Sequence, residues 1–254
     1  MRQGADPYCG PAPLPEDLAS SWNFDPLLIA VFAGVAAACL MMSRERRIAA
    51  LKSPVALAGW AVLLTAFISP LCALASALFS ARVFHHVLLV ALAAPLFALA
   101  FPPRATLRRV PVSGLVLIHA ICMWVWHTPG PYAFALDSTA AYWMMEASLF
   151  LSAFLLWQAV LDRRNHAGAT LAALLATVIQ MGMLGALLTF AARPLFDHHM
   201  ATTLPYGLTP LDDQQLAGLL MWVPASMTYL AAAALLAARM LETHPLPAQG
   251  GRPA

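Results

Sequence analysis

The sequence predicts an all-α polytopic membrane protein, a seven-helix bundle with its N-terminus outside and its C-terminus in the cytoplasm. Three observations predict it. Hydrophobic residues make up 61% of the chain and charged residues 10%, against roughly 45–50% and about 25% in soluble domains. The apolar residues gather in seven stretches, each about the 17–25 residues that a helix needs to cross a bilayer core, where an unpaired backbone group has no water to bond. The connections between them alternate from crowded with cations to nearly free of them.

The stretches run over residues 26–42, 54–75, 83–101, 110–126, 141–161, 168–190 and 216–241. One set of connections carries Arg44, Arg46, Arg47 and Lys52, then Arg104, Arg108 and Arg109, then Arg163 and Arg164, with Arg239 and Arg252 at the end of the chain. The other set carries only Arg2, Arg82 and Arg193. Positive charge is retained on the cytoplasmic side, so the crowded set lies inside.

Residues 1–25 are then a periplasmic tail. They are polar, carry Asp6, Glu16, Asp17 and Asp25, and lack the apolar core of a removable signal peptide. Residues 26–242 form the membrane domain, and residues 243–254, rich in proline and glycine, read as a disordered cytoplasmic tail. In the sixth stretch Gly182, Gly185 and Ala186 allow close approach of a neighbouring helix. Asp212 and Asp213 stand ahead of the last helix, where they can cap free N–H groups, and Pro224 kinks it. Cys9 and Cys72 both fall on the outer side, where an oxidising compartment permits a bridge.

The coordinating side chains also gather outside. His85 and His86 open the third helix, His127 ends the fourth, and Glu146 lies in the first two turns of the fifth. Each carries more than one reading. Arg82 and His86 share a helix face, and His86 is a metal or haem ligand, a proton-transfer group, or a packing residue bonded to a neighbouring helix. Glu146 is too deep to stay ionised alone, so it is either a structural partner of Arg82 or His127 or a working group. His119, in mid-membrane, reads as satisfied by an interhelical bond, and His198 and His199 as members of a solvated loop. Met221 is a core residue or a soft ligand for Cu(I).

Long motifs carry a family resemblance. They are W-N-F-D-P at residues 22–26, S-P-L at 69–71, F-S-A-R-V-F-H-H at 79–86, W-H-T-P at 126–129, M-G-M-L-G-A-L-L-T-F at 181–190 and D-Q-Q-L-A-G-L-L-M-W-V-P at 213–224. Together they resemble the multi-span CtaG-type cytochrome c oxidase assembly proteins. The resemblance implies a bacterial inner-membrane assembly factor for a haem-copper oxidase, assisting maturation of a copper centre from the periplasmic side. It further implies oxidase subunits and a periplasmic copper chaperone as partners, with the family's histidines falling on His86 and His127; a reduced copper site would add His85 in place of a lost ligand and the Met221 thioether. Arg82, Glu146, Asp213 and Gln214 form the accompanying polar cluster.

The family pattern in the third helix is similar to F-S-x-H-M-x-x-H, whose first histidine falls on Arg82. In the fifth helix it is similar to H-x-x-E-H, where Trp143 and Ala147 replace both histidines and Glu146 keeps the acid. A guanidinium has no lone pair to give. A reduced copper site and a metal-free scaffold for an oxidase subunit both remain open, and a small-solute or metal transporter is the reading from another class. A haem would need facing imidazoles, for which His86 and His119 are the only pair, so none is expected. Catalytic motifs such as H-E-x-x-H are missing, so no enzyme is expected, and a net charge of +2 gives nucleic acid no purchase.

Overall fold

The computed structural model describes residues 7–41, 54–101, 110–162 and 164–243, and every regular element among them is helical. Most of the cations used to orient the chain, from Arg44 to Lys52, from Arg104 to Arg109, and Arg163 and Arg252, lie outside the described residues, as does the tail beyond 243. In chain order the helices are α1 (Pro26–Met41), α2 (Pro54–Phe67), α3 (Leu71–Ala77), α4 (Phe79–Val87) and α5 (Ala94–Ala100). They continue with α6 (Val112–Trp126), α7 (Pro129–Asp137), α8 (Thr139–Leu161), α9 (Ala167–Thr189), α10 (Pro210–Trp222) and α11 (Pro224–Thr243).

Four helical runs among the described residues are long and apolar enough to cross a membrane: Phe79–Ala100, Thr139–Leu161, Ala167–Thr189 and Pro210–Glu242. Two bent pairs, α2 with α3 at 43° and α6 with α7 at 74°, raise the number to as many as six if each pair is one broken span. Prolines set both bends. Pro70 stands at the start of α3, and Pro129 forces Thr128 to an extended φ of −98° and ψ of 145°, ending α6. The shorter apolar run Pro26–Ala37 belongs to α1. These helices make the chain a membrane protein.

Several boundaries differ from the hydropathy reading. The third stretch starts at Phe79, because the extended Leu78 breaks the chain between α3 and α4. The last starts at Pro210, where Thr209 and Asp212 form a reciprocal capping box. Pro224 divides that run into α10 and α11. An apolar window finds hydrocarbon, not caps, and so overlooks polar first turns.

The run through α4 and α5 occupies the middle of the bundle, with 72% of its apolar window buried, against 28% for α10 with α11. Between α4 and α5 the backbone widens into a π-helical stretch, Leu88–Ala93. Both Trp157 Nε1 of α8 and Tyr229 Oη of α11 donate to the Val90 carbonyl there, at 3.2 and 3.3 Å. Three runs are thereby tied at the level where the regular ladder is disturbed. Opposite, α9 crosses α10 with Gly185 against Gly218, and a Cβ added at Gly185 would lie 2.7 Å from the Gly218 carbonyl oxygen. The small residues of the sixth stretch thus serve close approach, as their spacing predicts.

The N-terminal segment is fastened to this frame. Cys9 and Cys72 are disulfide-bonded. Asn23 donates to the Phe67 carbonyl at 3.1 Å, while Asp25 accepts from Leu27 N at 2.8 Å and so caps α1. The Tyr8 hydroxyl donates to Asp25 at 2.6 Å, which holds the carboxyl below its ordinary range.

Candidate functional site

α4 begins with its first backbone N–H groups aimed at a carboxylate from another helix. Asp213 accepts from Phe79 N at 2.7 Å, from Ser80 N at 3.1 Å and from the Ser80 hydroxyl. The sequence reading gave Asp213 a capping role on its own helix. The structure corrects this, since Thr209 and Asp212 already cap α10 and Asp213, one position on, turns inward to cap α4. This cross-cap fixes the end of the helix that carries Arg82, His85 and His86.

Those three residues stand at i, i+3 and i+4, a spacing that puts them on one helical face. All are buried. They converge on a single oxygen of Glu146 from α8: Arg82 Nη1 at 3.4 Å, His85 Nδ1 at 3.5 Å and His86 Nε2 at 3.4 Å from Oε1. Glu146 is 2% exposed, a depth at which a carboxylate persists only with such partners. Arg82 also lies over the Tyr142 ring, 5.2 Å from its centroid. The expected pairing with Arg82 is present, and the expected pairing with His127 passes through His86.

His127, the residue that ends α6, extends the cluster. Its Nδ1 lies 2.7 Å from the Met123 carbonyl, which can only accept, so Nδ1 carries the proton. In the neutral ring Nε2 then offers a lone pair to His86 Nδ1, 3.4 Å away, and His86 donates. That leaves His86 Nε2 with a lone pair facing the Glu146 oxygen. Two acceptors face one another unless a proton or another cation stands between them. The chain of tautomers therefore selects for a positive charge at that point.

A family model for the cytochrome c oxidase caa3 assembly factor (Caa3_CtaG) matches residues 35–243. The chain belongs to this family. The matched region contains every member of the cluster, whereas W-N-F-D-P at residues 22–26 precedes it. Comparison with curated proteins and with solved structures found no match. Membership in an assembly-factor family points to a non-catalytic role with oxidase-related partners.

His85, His86 and Glu146 offer ligand atoms within 4.8 Å of one another. Unused donors and acceptors surround them: both His85 nitrogens, His86 Nε2, Glu146 Oε2, and Arg82 Nε and Nη2 are buried without a hydrogen-bond partner. Imidazoles with one carboxylate suit copper or zinc, and the orphaned atoms fit one small cation. Arg82 contributes charge to this set but no lone pair.

The other candidates fall in different places. Met221 is buried in α10, and Gln214 serves the backbone. The Gln214 side chain accepts from Leu195 N at 2.7 Å and donates to the Leu188 carbonyl at 3.3 Å, stitching the connection after α9 to α10. His119 bonds Ser152 of α8 at 3.0 Å, as an interhelical bond. Trp143 packs in a box of rings with Tyr8 and Phe67, and Ala147 is exposed on the outside of α8.

His199 overturns the solvated-loop expectation. It is buried, bonded to the Tyr132 hydroxyl at 2.7 Å and near the Ala77 carbonyl at 3.3 Å. Burial holds its pKa down at about 3. Its neighbour His198 stays at the surface beside Asp137, 3.0 Å away. Sequence reasoning also missed Tyr142, whose position four residues before Glu146 on α8 was the available signal.

Proposed function

We propose that this chain assists assembly of a haem-copper oxidase in the bacterial inner membrane by holding copper at the outer mouth of its bundle. The carrying observation is the convergence of His85 and His86 on Glu146, with His127 behind His86, among buried atoms that have no other partner. In this reading α1 and the two bent pairs each cross the bilayer, giving seven spans with the N-terminus outside. The Cys9–Cys72 bridge supports that orientation, because structural disulfides persist in oxidising compartments.

The metal is read as Cu(I), which accepts few ligands. Oxidase subunits and a periplasmic copper donor are the partners of this reading. A metal-free scaffold for an oxidase subunit is the second reading, favoured by the buried Arg82–Glu146 ion pair. Deleting the gene and measuring oxidase activity with and without added copper tests both. Activity lost and restored by copper supports metal handling, activity lost and indifferent to copper supports the scaffold, and unchanged activity refutes both.

A further inference from the structure

We propose that the Cys9–Cys72 disulfide works a strap over the buried cluster, closed while the bond is intact and opened by two-electron reduction. The inference gives the proposed metal site a regulator, and it rests on that reading for its purpose but not for its test.

Among the described residues the cluster lies buried beneath a roof of rings. Arg82 and His85 are 0% exposed. Tyr142 covers Arg82, and Phe67 stands edge-on to His85 with ring centroids 4.8 Å apart. A second layer lies on this one. Tyr8 stacks on Tyr142 at 4.8 Å and meets Trp143 at 5.0 Å, while Trp143 stacks on Phe67 at 5.4 Å. The outer layer thus depends on where Tyr8 is held.

Little besides the disulfide holds it. Among the described residues ahead of α1 the one regular element is the single 3-10 turn Leu18–Ser20. Asn23, at the far end of the segment, donates to the Phe67 and Ile68 carbonyls at 3.1 and 2.9 Å, and the Tyr206 hydroxyl donates to the Pro13 carbonyl at 2.8 Å, while Tyr8 itself bonds Asp25 of the same segment. Cys9, next to Tyr8, is covalently pinned to the buried Cys72 of α3. Its sulfur also lies 3.7 Å from the Tyr142 hydroxyl, so the bond sits against the roof it secures. Cys9 is only partly buried, which leaves its sulfur as the point of attack.

A dithiol reductant supplies the electrons. One of its thiolates attacks Cys9 Sγ, and Cys72 leaves as a thiolate and takes up a proton. The second thiol of the reductant then attacks the mixed disulfide, releasing the Cys9 thiol and carrying two electrons' worth of oxidation away as the reductant's own disulfide. Tyr8 is then free to leave Tyr142.

The test uses the full-length protein in nanodiscs with no metal present. Diethyl pyrocarbonate is applied to oxidised protein, to reduced protein and to the Cys9→Ser/Cys72→Ser variant, and each histidine is read by peptide mass spectrometry. Reduction is expected to raise the modification rate of His85 and His86 on the order of tenfold or more, because a cross-link closing so long a segment restrains it by well over a decade in population. Reoxidation restores protection, and Tyr8→Ala raises both rates with the disulfide intact. His198, at the surface, and His119, remote from the strap, stay unchanged as references. Equal rates at His85 and His86 in oxidised and reduced protein overturn the proposal. So does a parallel rise at His119, which marks general loosening. Failure of copper rescue in the deletion strain would sink the metal reading while leaving this result intact.

Discussion

Removing one partner of the Arg82–Glu146 pair should destabilise the protein far more than removing both. Their side chains are 0% and 1% exposed, with 3.4 Å between Nη1 and Oε1. Leaving one buried charge without its counter-ion costs about 3–5 kcal/mol, whereas replacing a whole buried pair by apolar groups of similar volume is often neutral. Arg82→Met and Glu146→Leu are each expected to lose about that amount, and the double variant to recover most of it. The measurement is reversible unfolding in mixed micelles against rising dodecyl sulfate, followed by tryptophan fluorescence. A double-variant loss equal to the sum of the singles within about 0.5 kcal/mol would mean that the two groups do not interact, and the site as described would be wrong.

Other outcomes follow from the same structure. Gly218→Ala pushes a Cβ toward the Gly185 carbonyl and Thr189 and should cost about 1–3 kcal/mol. Gly182→Ala meets only the Trp222 side chain at 3.5 Å and should stay within about 0.5 kcal/mol; thermal melts in detergent compare the two. Asp213→Asn surrenders charged acceptors at the start of α4 and should lose about 1.5–3 kcal/mol, more than Asp212→Asn at the exposed end of α10, as read by denaturant midpoints. His199 has a folded-state pKa of about 3, below its unfolded value of about 6.5. The unfolded chain therefore binds the extra proton between those values, and stability should be full above pH 6.5 and fall by up to about 1.4 kcal/mol per unit as pH drops toward 3. His199→Asn should flatten that part of the stability profile.

The long apolar runs were legible because a bilayer imposes length and hydropathy on them directly. Their ends were less so. Phe79–Arg82 and Pro210–Gln215 are polar or mixed turns whose helical state depends on a cap, and the cap on α4 comes from a residue more than 130 positions away. The gathering of His85, His86, His127, Glu146 and Asp213 at one end of the bundle followed from chain direction alone. The role of Asp213 did not, because spacing cannot distinguish a carboxylate that caps its own helix from one that caps a neighbour. His199 was misread for a related reason: a polar, irregular connection reads as solvated, yet Tyr132 and the Ala77 carbonyl give this imidazole partners enough to be buried.

Arg82 decides what charge the cluster can accept. With Glu146 it forms a neutral pair, so any added cation brings its whole charge into a buried site beside a fixed guanidinium. At about 4 Å and an effective dielectric of about 20, that repulsion is about 4 kcal/mol per unit charge. A divalent ion meets it twice over, a monovalent ion once, which is the physical ground for reading the site as one for Cu(I). Arg82→Leu removes the repulsion without adding a ligand, and Glu146 is then left to balance the metal. Zinc affinity should therefore rise by more decades than Cu(I) affinity, measured by competition against chelators of known strength on the metal-free protein. Equal gains for both ions, or none for zinc, would show that the guanidinium does not set the charge selectivity of this cluster.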